Sequence, residues 1–178
     1  MPDPLMLIQN CIASDIKDIL FLYEAARELQ IKRKMVVWPF FESSFIEKEI
    51  NGKRQWKLIL DGRIACNWAI AFSDPQIWGG LDKNDSIYIH RIATHPLARG
   101  KKFIHPLTEW AKGYALEKGK RFVRLDTLGN NTRLIELYCS AGYEFLGMHR
   151  LTDTIDLPRH YQDEPNCCRF EIDLGKAF

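Results

Sequence analysis

The sequence predicts an α/β domain built on a mixed sheet with helices packed against it, and three observations predict this. A chain of 178 residues, 46% of them hydrophobic, holds one sizeable core and is short for two. The strand-like runs RQWKLIL and RIACNWAIAF flank Asp61-Gly62, the preferred two-residue hairpin turn, so those two strands pair antiparallel. Beyond the hairpin, strand patterns alternate with helical ones, and a strand-helix-strand unit sets its two strands parallel.

In chain order, Leu5 to Gln9 reads as a short strand. Ser14 or Asp15 then caps a helix whose apolar residues Ile16, Ile19, Leu20, Tyr23 and Ala26 recur at three and four, and which ends near Ile31. KRKMVVWPFFESSFIEKEI is punctuated by Pro39 and turns helical over Phe45 to Ile50, with Ser43 or Ser44 as cap. The hairpin follows. SDPQIWGGLDKND, polar and broken by Gly and Pro, reads as a loop, and SIYIHRIAT as the next strand. Phe103 to Gly119 is helical, with Pro106 tolerated in its first turn and Leu107, Trp110, Ala111 and Tyr114 on one face. KRFVRLDT is a strand; Asn130 or Asn131 caps a helix through Leu134, Leu137 and Tyr138 that stops at Gly142. YEFLGMHRL and CCRFEIDL are two closing strands, separated by the acidic loop TDTIDLPRHYQDEPN.

Composition excludes several classes of function. Net charge is +2 with acids and bases interspersed, which gives no support to a nucleic-acid or membrane partner. The N-terminus MPDPLMLIQN lacks the basic start and apolar run of a secretion signal, and MVVWPFF is too short to cross a bilayer, so a cytoplasmic location is expected. The five cysteines lack C-x-x-C spacing, and adjacent Cys167 and Cys168 point to opposite faces of a strand, so reduced thiols are expected. The five histidines show no H-E-x-x-H or similar pattern, and no metal is expected.

The stretch HPLARGKKFIHP carries the chemistry. A strand running into a helix leaves backbone N–H groups unpaired in the first turn, and these with the helix dipole favour an anion. Arg99, Lys101 and Lys102 add charge, and Gly100 allows close backbone approach, so a pyrophosphate is a plausible guest; an ordinary solvated basic loop is the alternative. Binding of RNA or another polyanion needs several phosphate contacts over an extended surface, and the sequence offers one cluster.

IHRIATHPLARGKKF resembles the coenzyme A loop of the Gcn5-related N-acetyltransferase superfamily, written [RQ]-x-x-G-x-[GA], and NTRLIELYCSAGY is similar to that superfamily's N-x-x-A-x-x-L-Y-x-x-x-G-F segment. The order of elements matches as well. The resemblance implies one acyl-CoA N-acyltransferase domain over residues 1–178. Its fold would be a mostly antiparallel sheet of about seven strands flanked by about four helices, with splayed central parallel strands. It departs at two positions: counting from Arg99, Lys102 stands where the family has glycine and Ile104 where it has glycine or alanine, and their side chains are expected to crowd the phosphate approach.

By the same resemblance, acetyl-CoA is the co-substrate. Ile92, Ala93 and Thr94 supply main-chain contacts to its pantetheine arm, while Arg99, Gly100, Lys101, Lys102, Phe103 and Ile104 hold the pyrophosphate. Asn131 is a further cofactor contact as well as a cap. A backbone N–H near Ile92 or Ala93 polarises the thioester carbonyl. Tyr138 matches the tyrosine that hydrogen-bonds or protonates the departing thiolate; a phenol near 10 giving its proton to a thiol near 8.5 costs about 2 kcal/mol, so hydrogen bonding suffices.

His90 falls where many relatives carry a glutamate base, and alternation puts Tyr88, His90 and Ile92 on one face. As a neutral imidazole it accepts an ammonium proton at a cost of about 5 kcal/mol unless the site lowers the amine's pKa; an ordinary packed histidine is the alternative. Asp126 is expected to bond backbone amides or Arg133. The acceptor, a small-molecule or peptide amine, would lie between KMVVWPFFESS and TDTIDLPRHYQDEPN. Trp38, Phe40, Phe41, His160 and Tyr161 beside Asp153, Asp156, Asp163 and Glu164 suit a cationic amine with an apolar body, or are core aromatics and a solvated loop. A homodimer paired through late strands is also implied. The alternative to an enzyme is a non-catalytic acyl-CoA-binding or regulatory module on the same fold.

Overall fold

The computed structural model describes residues 6–176, so Leu5, expected to open the first strand, lies outside the described residues. Seven strands form one sheet in the order β1-β2-β3-β4-β5-β7-β6. They are β1 (Met6–Asn10), β2 (Gln55–Leu60), β3 (Arg63–Ala71), β4 (Ser86–Thr94), β5 (Phe122–Leu128), β6 (Glu144–Arg150) and β7 (Asn166–Asp173). Among the described residues only β4 and β5 pair in parallel; the other neighbours are antiparallel. The helices are α1 (Ile16–Lys32), α2 (Ser43–Asn51), α3 (Pro75–Trp78), α4 (Ile104–Glu117), α5 (Thr132–Ser140) and α6 (Arg159–Asp163). The four expected helices are α1, α2, α4 and α5; α3 and the one-turn α6 fall in segments read as loops.

The hairpin turn at Asp61-Gly62 takes φ of 49° and 78°, both left-handed as its type requires. Two expected caps are replaced. The Asp15 side chain does not cap α1; its carboxylate accepts from the Ile12 N–H at 2.7 Å and from Lys57 Nζ at 2.5 Å, joining the helix entry to β2. Glu42, not a serine, precedes α2, without a side-chain cap. Asn131 does cap α5, accepting from the Leu134 N–H at 3.1 Å, and Gly142 follows that helix at φ 96°.

Alternation along the strands divides the core between two faces. On one, α4 and α5 bury Leu107, Ala111, Ala115 and Tyr138 against Ile87, Ile89, Val123, Leu125 and Cys168. On the other, α1 and α2 bury Ile19, Leu22, Tyr23 and Ile46, and next to them Ile77 and Trp78 of α3 pack on Tyr88 and Cys167. Cys167 and Cys168 thus do face opposite ways, and all five cysteines are unpaired thiols. Among the described residues no helix is long and apolar enough to cross a membrane. The sheet's outer edges are β1 and β6, and β6 exposes Phe145 and Met148.

Candidate active site

The site begins where the parallel pair comes apart. β4 and β5 are in register from Ser86/Phe122 to Ile89/Leu125 and pair no further, so His90–Thr94 of β4 and Asp126–Leu128 of β5 diverge. Ile92, Ala93 and Thr94 therefore have no strand neighbour on the β5 side. A bulge on the other side of β4 sharpens the divergence: Asn67 pairs with Ala93 and Ala69 with His90, so Trp68 alone opposes both Arg91 and Ile92. Arg91 absorbs the extra residue at φ 51°.

That bulge corrects the expected alternation. Tyr88 and His90 do share a face, but Ile92 packs into the opposite core beside α4, and Arg91 joins His90 instead. Two consecutive side chains thus lie on the same face of the sheet.

At the end of β4 the chain bends through Arg99–Phe103 into α4. Among the described residues, the N–H groups of Gly100, Lys102, Phe103 and Ile104 find no acceptor within the chain. Gly100 and Lys102 take left-handed φ values of 85° and 53°. Lys102 therefore adopts the conformation that a glycine would supply at that point. The Phe103 and Ile104 side chains are buried in the core, so the expected crowding by Ile104 does not occur: it packs inward and leaves the bend's outer surface to the backbone. Arg99 is partly committed, donating from Nη2 to the Ala25 carbonyl of α1 at 2.8 Å, which ties the bend to the first helix. Lys101 and Lys102 are exposed.

His90 lies between two carboxyl groups. Its Nε2 is 3.7 Å from Asp74 Oδ2 and its Nδ1 is 4.0 Å from Asp126 Oδ1, both longer than a direct hydrogen bond. Asp74 Oδ2 is buried, with no hydrogen-bond partner among the described residues. Asp126 accepts from Tyr161 Oη at 3.2 Å and from Cys167 Sγ at 3.6 Å, not from Arg133 or backbone amides as expected. Burial, followed by the charge of Asp126, pushes Asp74 up to about 8, and burial pushes Asp126 up to about 6. Burial, then the charge of Arg91, pulls His90 down to about 3. Contact distances alone would draw His90 as a cation paired with two anions. The desolvation of all three groups argues for a neutral ring and a proton held on a carboxyl. The three groups lie within 4.8 Å of one another.

Tyr138 lies on α5, packed against Phe170 at 5.1 Å and Tyr143 at 6.1 Å between ring centroids. Burial raises its phenol further above 10, which makes proton donation harder than in water and leaves hydrogen bonding as its accessible role. Asn131 holds its side chain in the α5 cap.

The acetyltransferase (GNAT) family model matches residues 23–143, more than half of the chain and the part that builds this fork and bend. The chain belongs to the GNAT family. An uncharacterized N-acetyltransferase of Methanocaldococcus jannaschii is 29% identical over 77% of the chain and 60% of its own length. The chain spans 41% to 60% of the curated relatives it matches. A GNAT-family acetyltransferase from Listeria monocytogenes superposes with a TM-score of 0.76 at 18% identity, over 95% of both chains. A Salmonella typhimurium protein solved with its cofactor acetyl-CoA gives 0.68 at 14% identity, over 95% of this chain and 94% of that one. At these identities the structural likeness speaks for the fold, a GNAT sheet with splayed central strands.

Acetyl-CoA is the GNAT co-substrate, and the residues present fit it. The bend offers unpaired N–H groups flanked by Lys101 and Lys102, and the fork offers unpaired strand edges. Asp74 escapes the sequence pattern, because the four residues of α3 are too few to show periodicity, and Arg91 escapes it, because a bulge leaves no mark in an alternation pattern. Asp153, Asp156 and Asp163 are solvent-exposed, and Glu164 bonds Asn166. The carboxyls that reach the cleft are Asp74 and Asp126. Of the expected aromatic wall, Trp38 and Phe41 pack on Tyr23, Tyr161 bonds Asp126, His160 packs at a tilt on Tyr161, and Phe40 is exposed beneath Arg27.

Proposed function

We propose that this protein is an acetyl-CoA-dependent N-acetyltransferase in which a primary amine attacks directly within a ternary complex. The observation that carries the reading is the fork: two parallel strands that part after four pairs and lead to a bend with four unpaired N–H groups.

When bound, acetyl-CoA supplies an activated acetyl thioester. Gly100, Lys101, Lys102, Phe103 and Ile104 hold its pyrophosphate, mainly through backbone amides, with Arg99 anchoring the bend. Ile92, Ala93 and Thr94 bond the pantetheine arm, and a backbone N–H at Ile92 or Ala93 polarises the thioester carbonyl, the kind of preorganised donor that contributes most when water is excluded. Tyr138 Oη hydrogen-bonds the departing sulfur. Asn131 fixes α5, and hence Tyr138, by capping it.

His90 is a poor lone base, because a pKa near 3 roughly doubles the cost of taking an ammonium proton. The Asp74–His90–Asp126 cluster is a better one. At neutral pH Asp74, near 8, keeps its proton while Asp126, near 6, is mostly ionised, so the ring passes a proton from the cleft to the Asp126 carboxylate. Burial holds the Cys11 and Cys66 thiols near 12, which disfavours an acyl-cysteine route and supports direct attack.

Thiol release from acetyl-CoA in the presence of amines, amino acids and peptides tests the reading, with binding followed separately by calorimetry. Turnover with at least one amine class is expected, together with a loss of at least tenfold in kcat for His90→Ala. Absence of binding would sink the reading. Binding without turnover across the panel would leave a non-catalytic acyl-CoA-binding module, and retained activity in His90→Ala would remove that residue from the mechanism.

A further inference from the structure

We infer that Arg91 forms a carboxylate subsite, so that the acceptor is an amine with a carboxylate close to its nitrogen, as in an α-amino acid. This rests on the acetyl-transfer reading above.

The bulge in β4 delivers Arg91 to the cleft beside His90. A left-handed φ in a non-glycine residue is costly and is kept where surrounding contacts enforce it. Here they do. Arg91 Nε donates to Tyr23 Oη at 3.3 Å and Nη2 to Glu49 Oε1 at 2.5 Å, and Gln55 Nε2 donates to both Tyr23 Oη (2.9 Å) and Glu49 Oε2 (2.8 Å). Asn67 Nδ2 closes the network on Gln55 Oε1 at 3.3 Å. Four side chains, from α1, α2, β2 and β3, thus fix one guanidinium.

Among the described residues Nη1 makes no hydrogen bond and is not among the fully buried unpartnered atoms, and the side chain retains 19% exposure, so the fork's third nitrogen is accessible to a ligand. The guanidinium carbon lies 5.6 Å from the Phe41 ring centroid and 5.1 Å from that of Phe45, so two aromatic rings flank it. His160, on the segment expected to wall the acceptor site, feels the Arg91 charge and is held neutral near 4, chiefly by burial, so it adds no competing cation. Glu49 meets Arg91 through Oε1 and Gln55 through Oε2, which leaves the Nη1 edge of the guanidinium as its unclaimed donor.

A buried arginine–glutamate pair contributes little to stability compared with apolar packing. What it provides here is a pre-ordered planar donor at the cleft, suited to a carboxylate. Consecutive residues have Cα atoms only about 3.8 Å apart. With His90 and Arg91 on one face, the proton-accepting group and the anion-binding group stand side by side, as the amino and carboxylate groups do in an α-amino acid. A polyamine would meet Arg91 with like charge.

The test compares kcat/KM for α-amino acids and for their decarboxylated amines, phenylalanine with phenethylamine among them. The wild-type protein is expected to favour the acids by at least tenfold. In Arg91→Lys, which keeps the charge opposite Glu49, KM for the acids should rise about tenfold while kcat changes little. In the double variant Arg91→Gln with Glu49→Gln, which leaves no unpaired buried charge, the preference should vanish and activity toward the amines should persist. Calorimetry with an N-acetyl amino acid should show the same weakening in the variants. Equal or better turnover of the decarboxylated amines by the wild type overturns the subsite while leaving acetyl transfer intact, as does an equal loss for acids and amines in both variants. Bound acetyl-CoA with no turnover of either arm overturns the acetyl-transfer reading, and the subsite with it.

Discussion

Asp74 holds a carboxyl oxygen out of water with no donor to satisfy it, and the energetic consequence depends on pH. In the unfolded chain this carboxyl titrates near 3.8; in the folded protein it titrates near 8. Between those values the native state keeps a proton that the unfolded state has released. Stability therefore falls as pH rises through this window. Asp74→Asn removes the titration while keeping the shape of the side chain. The variant is expected to unfold a few degrees above the wild type at pH 8.5, with the gap closing toward pH 4, as followed by thermal melts across that range. Parallel melting curves would show that Asp74 does not hold the proton. Because Asp74 already carries its proton at neutral pH, the same substitution should change acetyl transfer little there, whereas Asp126→Asn, which removes the ionised carboxylate beside His90, should lower it. None of this was legible in the sequence. Asp74 stands in SDPQIWGG, whose Gly and Pro punctuation masks a four-residue helix too short to show periodicity, yet α3 buries Ile77 and Trp78 and brings Asp74 to within 3.7 Å of His90.

The bend between β4 and α4 shows how an element can keep its geometry after losing its usual residues. Lys102 takes a left-handed φ that costs an L-residue roughly 1–2 kcal/mol. Lys102→Gly should recover about 0.5–1 kcal/mol of that, once glycine's own entropy loss on folding is subtracted. If the amides do the holding, acetyl-CoA affinity should change little at high salt and fall modestly at low salt, where the lost charge counts. Ile104 behaves differently. Its side chain is core, so Ile104→Ala should destabilise the protein by about 2–5 kcal/mol in urea melts without tightening acetyl-CoA binding. Tighter binding in Ile104→Ala would restore the crowding expected from the motif. The elements around the bend were readable because each carries its own local signal: the Asp61-Gly62 turn, the three-and-four spacing of α1 and α4, the Asn131 cap. The bulge was not. An inserted residue shifts the parity of every later position in β4, and only the partner strand, with Trp68 opposed by two residues, reveals the shift.

At the scale of the whole molecule, the sheet is two blocks joined by a short seam. β1 to β4 form one antiparallel block backed by α1 and α2, and β5 to β7 form another. The seam consists of the four parallel pairs from Ser86/Phe122 to Ile89/Leu125, backed by α4 and by Arg124, which reaches across to the Ser86 hydroxyl at 2.8 Å. Beyond it, the divergent ends of β4 and β5 have no ladder to each other. Backbone without such pairing opens at low free energy, so hydrogen exchange should be faster at Ile92–Thr94, Asp126–Leu128 and the Gly100–Ile104 bend than at the centre of β2 and β3. A ligand held by both strand edges and by the bend would close that gap. Because it binds the native state alone, acetyl-CoA at a hundred times its Kd should stabilise the fold by about 2.7 kcal/mol, which for a domain of this size raises the melting temperature by roughly 5–10 °C. The protection should be local, slowing exchange at those three segments and leaving the outer strands β1 and β6 unchanged. Uniform slowing across the sheet would mean that the ligand stabilises the fold without occupying the fork. Slowing confined to the Gly100–Ile104 bend would mean that the pyrophosphate is held while the pantetheine arm lies elsewhere, and the acyl group would then never reach His90.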